Sequence, residues 1–144
     1  MFEIMREYVR LNKIENAVFV NCGAYSSTGE LKFEEDFQTG SSKISREGAT
    51  LIRVTSIDDM LQGEKATFIK MDIEGAEMEA LIGAKETIEK YNPRLAISVY
   101  HKVDDLWEIP YYILTHYTWY QIYLRHYALT TNETVMYAVS NNGK

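Results

Sequence analysis

Cysteine is almost absent from this chain of 144 residues, with Cys22 its single example. No internal disulfide can form, and a zinc site would have to combine Cys22 with three dispersed histidines that lack ligand spacing, so no metal is expected. Cys22 reads instead as a small apolar residue at a strand end. No apolar run reaches the ~20 residues that span a bilayer. The N-terminus, MFEIMREYVR, mixes charge with apolar residues and does not follow the order of a secretory signal. These absences set a reducing, soluble, cytoplasmic location as the expectation, with no membrane partner. Basic clusters are missing too: lysines and arginines are scattered among acids, and the formal net charge is -6. Such a surface has little to neutralise phosphates with, so a nucleic-acid partner is not expected. No G-x-G-x-x-G, P-loop or G-x-S-x-G occurs, and Gly23-Ala24 is only a fragment of a glycine turn.

What is present is ordinary for one soluble globular domain: 46% hydrophobic and 25% charged residues, in a chain long enough to bury a core. The 11 tyrosines are unusual, and seven of them fall late, from Tyr111 to Tyr137. A tyrosine cluster is suited to lining a pocket for sugars or other polar organic groups, or to packing the core and its rim.

The apolar spacing of Phe2, Met5 and Val9 predicts a helix over 2–12. Ala17-Val18-Phe19-Val20, stopping before Gly23, reads as a buried strand over 17–22. A turn at 26–29 leads into alternation of Leu31 and Phe33, suggesting a hairpin arm, and the polar, glycine-punctuated segment 38–49 reads as a loop. A short strand at 51–54 precedes a capped helical turn. The nearly continuous apolar run 66–73 predicts a strand buried on both faces. Glu74-Gly75 then turns the chain into a helix over 76–91, ended by Asn92-Pro93. A third buried strand follows at 94–100, then a helix at 104–116 that Pro110 either starts or kinks. Strands at 119–127 and 133–139 close the chain as an antiparallel hairpin. The sum is an α/β chain with a mostly parallel sheet, whose ligands would gather at the carboxyl ends of the strands.

The sharpest constellation is Phe68-Ile-Lys-Met-Asp-Ile-Glu-Gly-Ala-Glu77. Alternation puts Lys70 and Asp72 on one face of the strand. A lysine in a strand buried on both faces needs a carboxylate, and Asp72, Glu74 and Glu77 are each within reach. Gly75 permits close backbone approach, and Glu77 falls in a first helical turn, where the dipole favours an anion. The same residues would serve equally as an ion pair beside a well-capped helix. His101 also falls at a strand's carboxyl end, suited to a general base, a substrate contact or a hydrogen-bonded surface residue. Arg125 and His126, in the hairpin, face either cleft or water.

The run 68–77 resembles the signature of FkbM-family methyltransferases, a strand ending Lys-x-Asp-x-Glu-Gly-x-Glu ahead of a helix. Val54-Thr-Ser-Ile-Asp58, Pro93 through His101, Asp105 through Pro110, Tyr123-Leu-Arg-His126 and Glu133 through Tyr137 resemble further family segments in the same order, together spanning about 17–139. The resemblance implies a partial Rossmann-like methyltransferase fold ending in an antiparallel hairpin, with S-adenosyl-L-methionine as cofactor and an oxygen on a sugar, polyketide or similar small molecule as acceptor. It implies Asp72, His101 and Lys70 at the reaction centre, Gly23, Ala24, Asp72 and Glu74 toward the cofactor, and Glu77, His101 and His126 toward the acceptor. Residues 1–16 resemble the helix after the family's second strand. The family's first strand, glycine-rich turn and ribose-binding acid are therefore expected to be absent from a single, incomplete domain. That leaves an open sheet edge for a second chain or another copy. The rival expectation is a non-catalytic interaction module with a degenerate methyltransferase fold.

Overall fold

The computed structural model describes residues 2–36, 41–44, 50–130 and 132–141, with backbone alone over 33–36 and 41–44. Helical spacing in the first residues produces α1 (Phe2–Leu11). Strands β1 (Gly23–Ala24), β2 (Gly29–Asp36), β3 (Ser41–Ile44) and β4 (Thr50–Thr55) form one sheet in the order β1-β4-β2-β3. The chain continues through α2 (Ile57–Leu61), β5 (Phe68–Met71), α3 (Glu77–Ile82), α4 (Lys85–Tyr91), β6 (Arg94–Ser98), α5 (Asp105–His116), β7 (Tyr120–His126) and β8 (Thr134–Ser140). The last four strands form a second sheet in the order β5-β6-β8-β7. No helix among the described residues is long and apolar enough to cross a membrane.

The α/β class and the closing hairpin match expectation; the mostly parallel sheet does not. Among the described residues β1–β4 and β5–β6 pair in parallel, while β2–β3, β2–β4, β6–β8 and β7–β8 are antiparallel. Parallel neighbours require a crossover. In the second sheet only the α3–α4 segment supplies one, and β8 returns beside β6 as the far arm of a hairpin.

Three local expectations are also corrected. The strand foreseen at 17–22 does not form, and Val18 is 89% exposed. Among the described residues no strand lies alongside its backbone, and Gly23 and Ala24 alone reach β4. The polar segment 38–49, read as a loop, contributes β3, whose backbone pairs with β2 from Phe33↔Ile44 to Asp36↔Ser41; the rest of that segment lies outside the described residues. The helix foreseen over 76–91 is two helices.

The break at Gly83 has a tertiary cause. A Cβ there would stand 2.1 Å from the carbonyl oxygen of Tyr25, so only glycine lets the helix backbone approach the chain leaving β1. The Gly83 carbonyl accepts the Asp58 amide at 2.9 Å. The Asp58 carboxylate accepts the amides of Glu86 and Thr87, both at 2.9 Å, giving α4 its N-terminal cap from a residue far away in sequence. Ser56 caps α2 in the usual local way, accepting the Asp59 amide.

The core lies between the second sheet and its helices. Ile69, Met71, Leu95, Ile97 and Met136 from the strands pack with Leu81, Ile88, Ile109 and Ile113 from α3, α4 and α5. Of the late tyrosines, Tyr117 and Tyr120 join this core, Tyr120 donating to the Pro93 carbonyl at 2.6 Å. Burial raises the pKa of both phenols.

Candidate active site at the strand ends

Alternation along β5 buries Ile69 and Met71 and turns Phe68 and Lys70 outward, so the strand is covered on one face rather than two. This corrects the premise that Lys70 is a buried charge. Its side chain is 60% exposed and its ammonium stands 3.4 Å from Asp72 Oδ2. The shared face of Lys70 and Asp72 is as alternation requires.

Past the end of β5 the chain makes a tight turn, with Glu74 at φ 59° and Gly75 at φ 91°. Left-handed backbone at two successive residues re-aims the chain into α3, and Gly75 lies under the Lys102 side chain, where a Cβ would stand 3.2 Å from Lys102 Cε. The turn brings Glu77 back beneath its own strand. Glu77 is fully buried, and its Oε1 accepts the Ile73 amide at 2.8 Å. The resemblance sets Glu77 toward an acceptor; in this structure its carboxylate is buried, with His101 Nδ1 beside it at 2.8 Å.

Beyond β6, His101 lies against three carboxylates. Its Nδ1 is 2.8 Å from Glu77 Oε1, within ion-pair distance though not aligned as a hydrogen bond. Its Nε2 is 3.6 Å from Asp72 Oδ1 and 3.8 Å from Glu74 Oε2. The Tyr100 ring packs against the imidazole at a 41° tilt, and its hydroxyl donates to Asp72 Oδ1 at 3.1 Å. Burial works to raise the Asp72 pKa, but hydrogen bonds from Ser98 and Tyr100 and the Lys70 charge outweigh it and hold the carboxyl below its usual range. The Tyr100 phenol is pushed up to about 12, first by burial and then by the hydrogen bond and charge of Asp72.

His101 and His126 line one cleft of about 800 Å³, with Tyr100, Lys102, Val103 and Thr134 among its walls. The His126 ring Nδ1 is 2.8 Å from Thr134 Oγ1, across the β7–β8 pair. Gly23 belongs to a separate hollow of about 330 Å³ with Asn21, Cys22 and Arg53, and Ala24 packs on the core. None of the seven late tyrosines lines the larger cleft.

The structure thus assembles Asp72, Glu74, Glu77 and His101 into one cluster, with Lys70 on its rim and His126 across the cleft. Ser98 and Tyr100 were missed by sequence reasoning. Their signal was available: with β5 and β6 parallel and Lys70 opposite Ala96, continuing the register sets Asp72 beside Ser98, and alternation then adds Tyr100.

An acid–histidine cluster at the carboxyl ends of adjacent parallel strands is the arrangement of an α/β protein that binds at its strand tips. The chain belongs to the FkbM methyltransferase family, whose domain, Methyltransferase FkbM, matches residues 7–127. It is 36% identical to the crystallised methyltransferase FkbM of Methylobacillus flagellatus KT, with a TM-score of 0.72 over 94% of this chain and 32% of that one. It is also 35% identical over 75 residues to the hexuronic acid methyltransferase AglP of Haloferax volcanii, a match covering 49% of this chain and 31% of that protein. The chain therefore spans about a third of the length of each of these relatives.

Proposed function

We propose that this chain carries the acceptor-side half of an S-adenosylmethionine-dependent O-methyltransferase site, acting on a sugar-like small molecule. The observation that carries the reading is His101, backed by the buried carboxylate of Glu77 and opening on the cleft it shares with His126. Family membership and the hexuronic acid methyltransferase among the relatives support the reaction class and the sugar-like acceptor.

The residues present fit the charged end of the cofactor. S-adenosylmethionine carries a sulfonium and an ammonium, and Asp72 and Glu74 offer two partly exposed carboxylates at the tip of β5. The Asp72 carboxyl is held below its usual range, as suits a counter-charge. When bound, the cofactor would supply a methyl group made electrophilic by its positive sulfur. The Glu77 carboxylate, 2.8 Å from Nδ1, would hold the His101 ring in place, and Nε2 would take the proton from the acceptor hydroxyl as the methyl leaves the sulfonium for that oxygen and a neutral thioether is released. Asp72 and Glu74 then lie beside the imidazolium so formed. Fixing the acceptor within the cleft converts the encounter into a positioned reaction.

The test is transfer of label from methyl-labelled S-adenosylmethionine to a panel of hexose and hexuronate glycosides. Ether-linked label, reduced at least ~100-fold in His101→Ala, is the expected result. Full transfer in both His101→Ala and Asp72→Asn would remove these residues from the reaction.

A second reading, a non-catalytic module that pairs with another chain or copy, has its own support. No residue of α1 is buried, Ile4, Tyr8 and Leu11 stand exposed, and β5 has a described neighbour on one side only. Calorimetry separates the two: heat of binding with S-adenosylmethionine favours the enzyme, and its absence with a stable dimer in sedimentation favours the module.

A further inference from the structure

We infer that the cleft selects an acceptor bearing a carboxylate, a sugar acid, and that Lys102 is the residue that recognises it. This rests on the methyl-transfer reading above and gives it a substrate class.

The described lining of the cleft contains Lys102, His101 and His126 but no aspartate or glutamate. That is unexpected in a chain of formal charge -6. Lys102 enters no ion pair among the described residues, whereas Lys70, a few ångströms from Asp72, has its carboxylate. Asp105, three residues on, is buried and engaged otherwise, accepting the Lys102 backbone amide at 2.8 Å, and no ion pair joins Asp104 to Lys102 among the described residues. The aliphatic stem of Lys102 lies over Gly75, where a Cβ would stand 3.2 Å from its Cε. Glycine at the turn thus lets the lysine stem settle against the backbone, beside the catalytic cluster.

The remaining walls suit a pyranose. Val103, Leu106 and Leu129 give exposed apolar surface for the C–H face of a ring, and Thr134 with His126 supplies hydroxyl and imidazole partners for its hydroxyls. A phosphate is a poorer match than a carboxylate. Phosphate sites recruit several cations or a free helix N-terminus. Here the described lining holds one lysine, and the start of α5 carries Asp104, Asp105 and Glu108, whose charges oppose a doubly charged anion. A single ammonium suits a single negative charge. The chain's overall negative field opposes any anion at long range, so discrimination must come from this one close contact.

The experiment compares methyl glycosides of glucuronic acid, glucose and glucose 6-phosphate, with wild type and with Lys102→Gln and Lys102→Arg. Two readouts are used: equilibrium binding by calorimetry, and the ratio of kcat/KM for glucuronide over glucoside. Binding of the glucuronide in preference to both others, reduced about tenfold in Lys102→Gln and largely recovered in Lys102→Arg, is the expected result. Equal binding of glucuronide and glucoside, preference for the phosphate, or loss with Lys102→Gln of the same size for charged and neutral sugars would overturn the inference. Selective binding without label transfer would uphold the inference and sink the methyl-transfer reading; transfer to glucose as readily as to glucuronate would do the reverse.

Discussion

His101 Nδ1 stands 2.8 Å from Glu77 Oε1, and that carboxylate is fully buried. The same oxygen accepts the Ile73 amide, while Oε2 has no hydrogen-bond partner among the described residues. One side chain therefore closes the turn after β5 and fixes the ring that faces the cleft. Glu77→Ala removes both contacts and leaves a cavity, and is expected to cost about 3 kcal/mol in urea denaturation. Glu77→Gln keeps an acceptor for the Ile73 amide and should cost less than half of that. Equal losses in the two variants would mean that the charge beside His101, and not the turn, dominates.

Asp72 gives the protein an acid-dependent component of stability. Its carboxyl is held below the usual range in the folded chain. A carboxylate depressed on folding adds stability above its unfolded pKa, near about 3.9, and that contribution disappears as pH falls through the lower folded value. Asp72→Asn should therefore be less stable than wild type at about pH 6, with the gap closing below about pH 4. Urea midpoints measured across this range check it; a gap that does not change with pH contradicts the assignment.

Tyr100 responds at the other end of the scale. Burial and then Asp72 hold its phenol at about 12, against about 10 in an unfolded chain. A group raised on folding contributes stability that is complete below its unfolded pKa and is lost as pH rises through the folded one. Ultraviolet titration should show one fewer late-ionising tyrosine in Tyr100→Phe, with the buried Tyr117 and Tyr120 still late, and an earlier-ionising Tyr100 in Asp72→Asn.

Asp58 caps α4 from outside its own segment, through the amides of Glu86 and Thr87. Asp58→Ala should cost about 1–2 kcal/mol, and Asp58→Asn, which keeps one acceptor, noticeably less. Chemical denaturation measures both, and a neutral Asp58→Ala would show that water replaces the cap without loss.

Gly83→Ala forces a methyl group to 2.1 Å from the Tyr25 carbonyl and 3.1 Å from Ser56 Cβ. Backbone cannot yield as a flexible side chain does, so a loss of about 2 kcal/mol or more is expected. Stability equal to wild type would mean that the chain leaving β1 is free to move away from the helix break.

The sequence by itself determined the elements whose physics is local. The helical spacing of Phe2–Leu11, the alternation and turn of the β7–β8 hairpin, the Ser56 cap and the strand-end positions of Asp72 and His101 follow from periodicity and turn chemistry. Only the tertiary structure decided what depends on neighbours. Ala17–Val20 has strand composition but no strand pairs with it among the described residues, so it forms none. The run at 66–73 is apolar enough for two buried faces, yet only one is covered, which leaves Lys70 in solvent. The helix over 76–91 breaks because a distant carbonyl approaches Gly83, and Glu77 is buried with His101 Nδ1 beside it. Composition shows which side chains prefer burial; which of them are buried is set by what packs alongside, and that information is nonlocal.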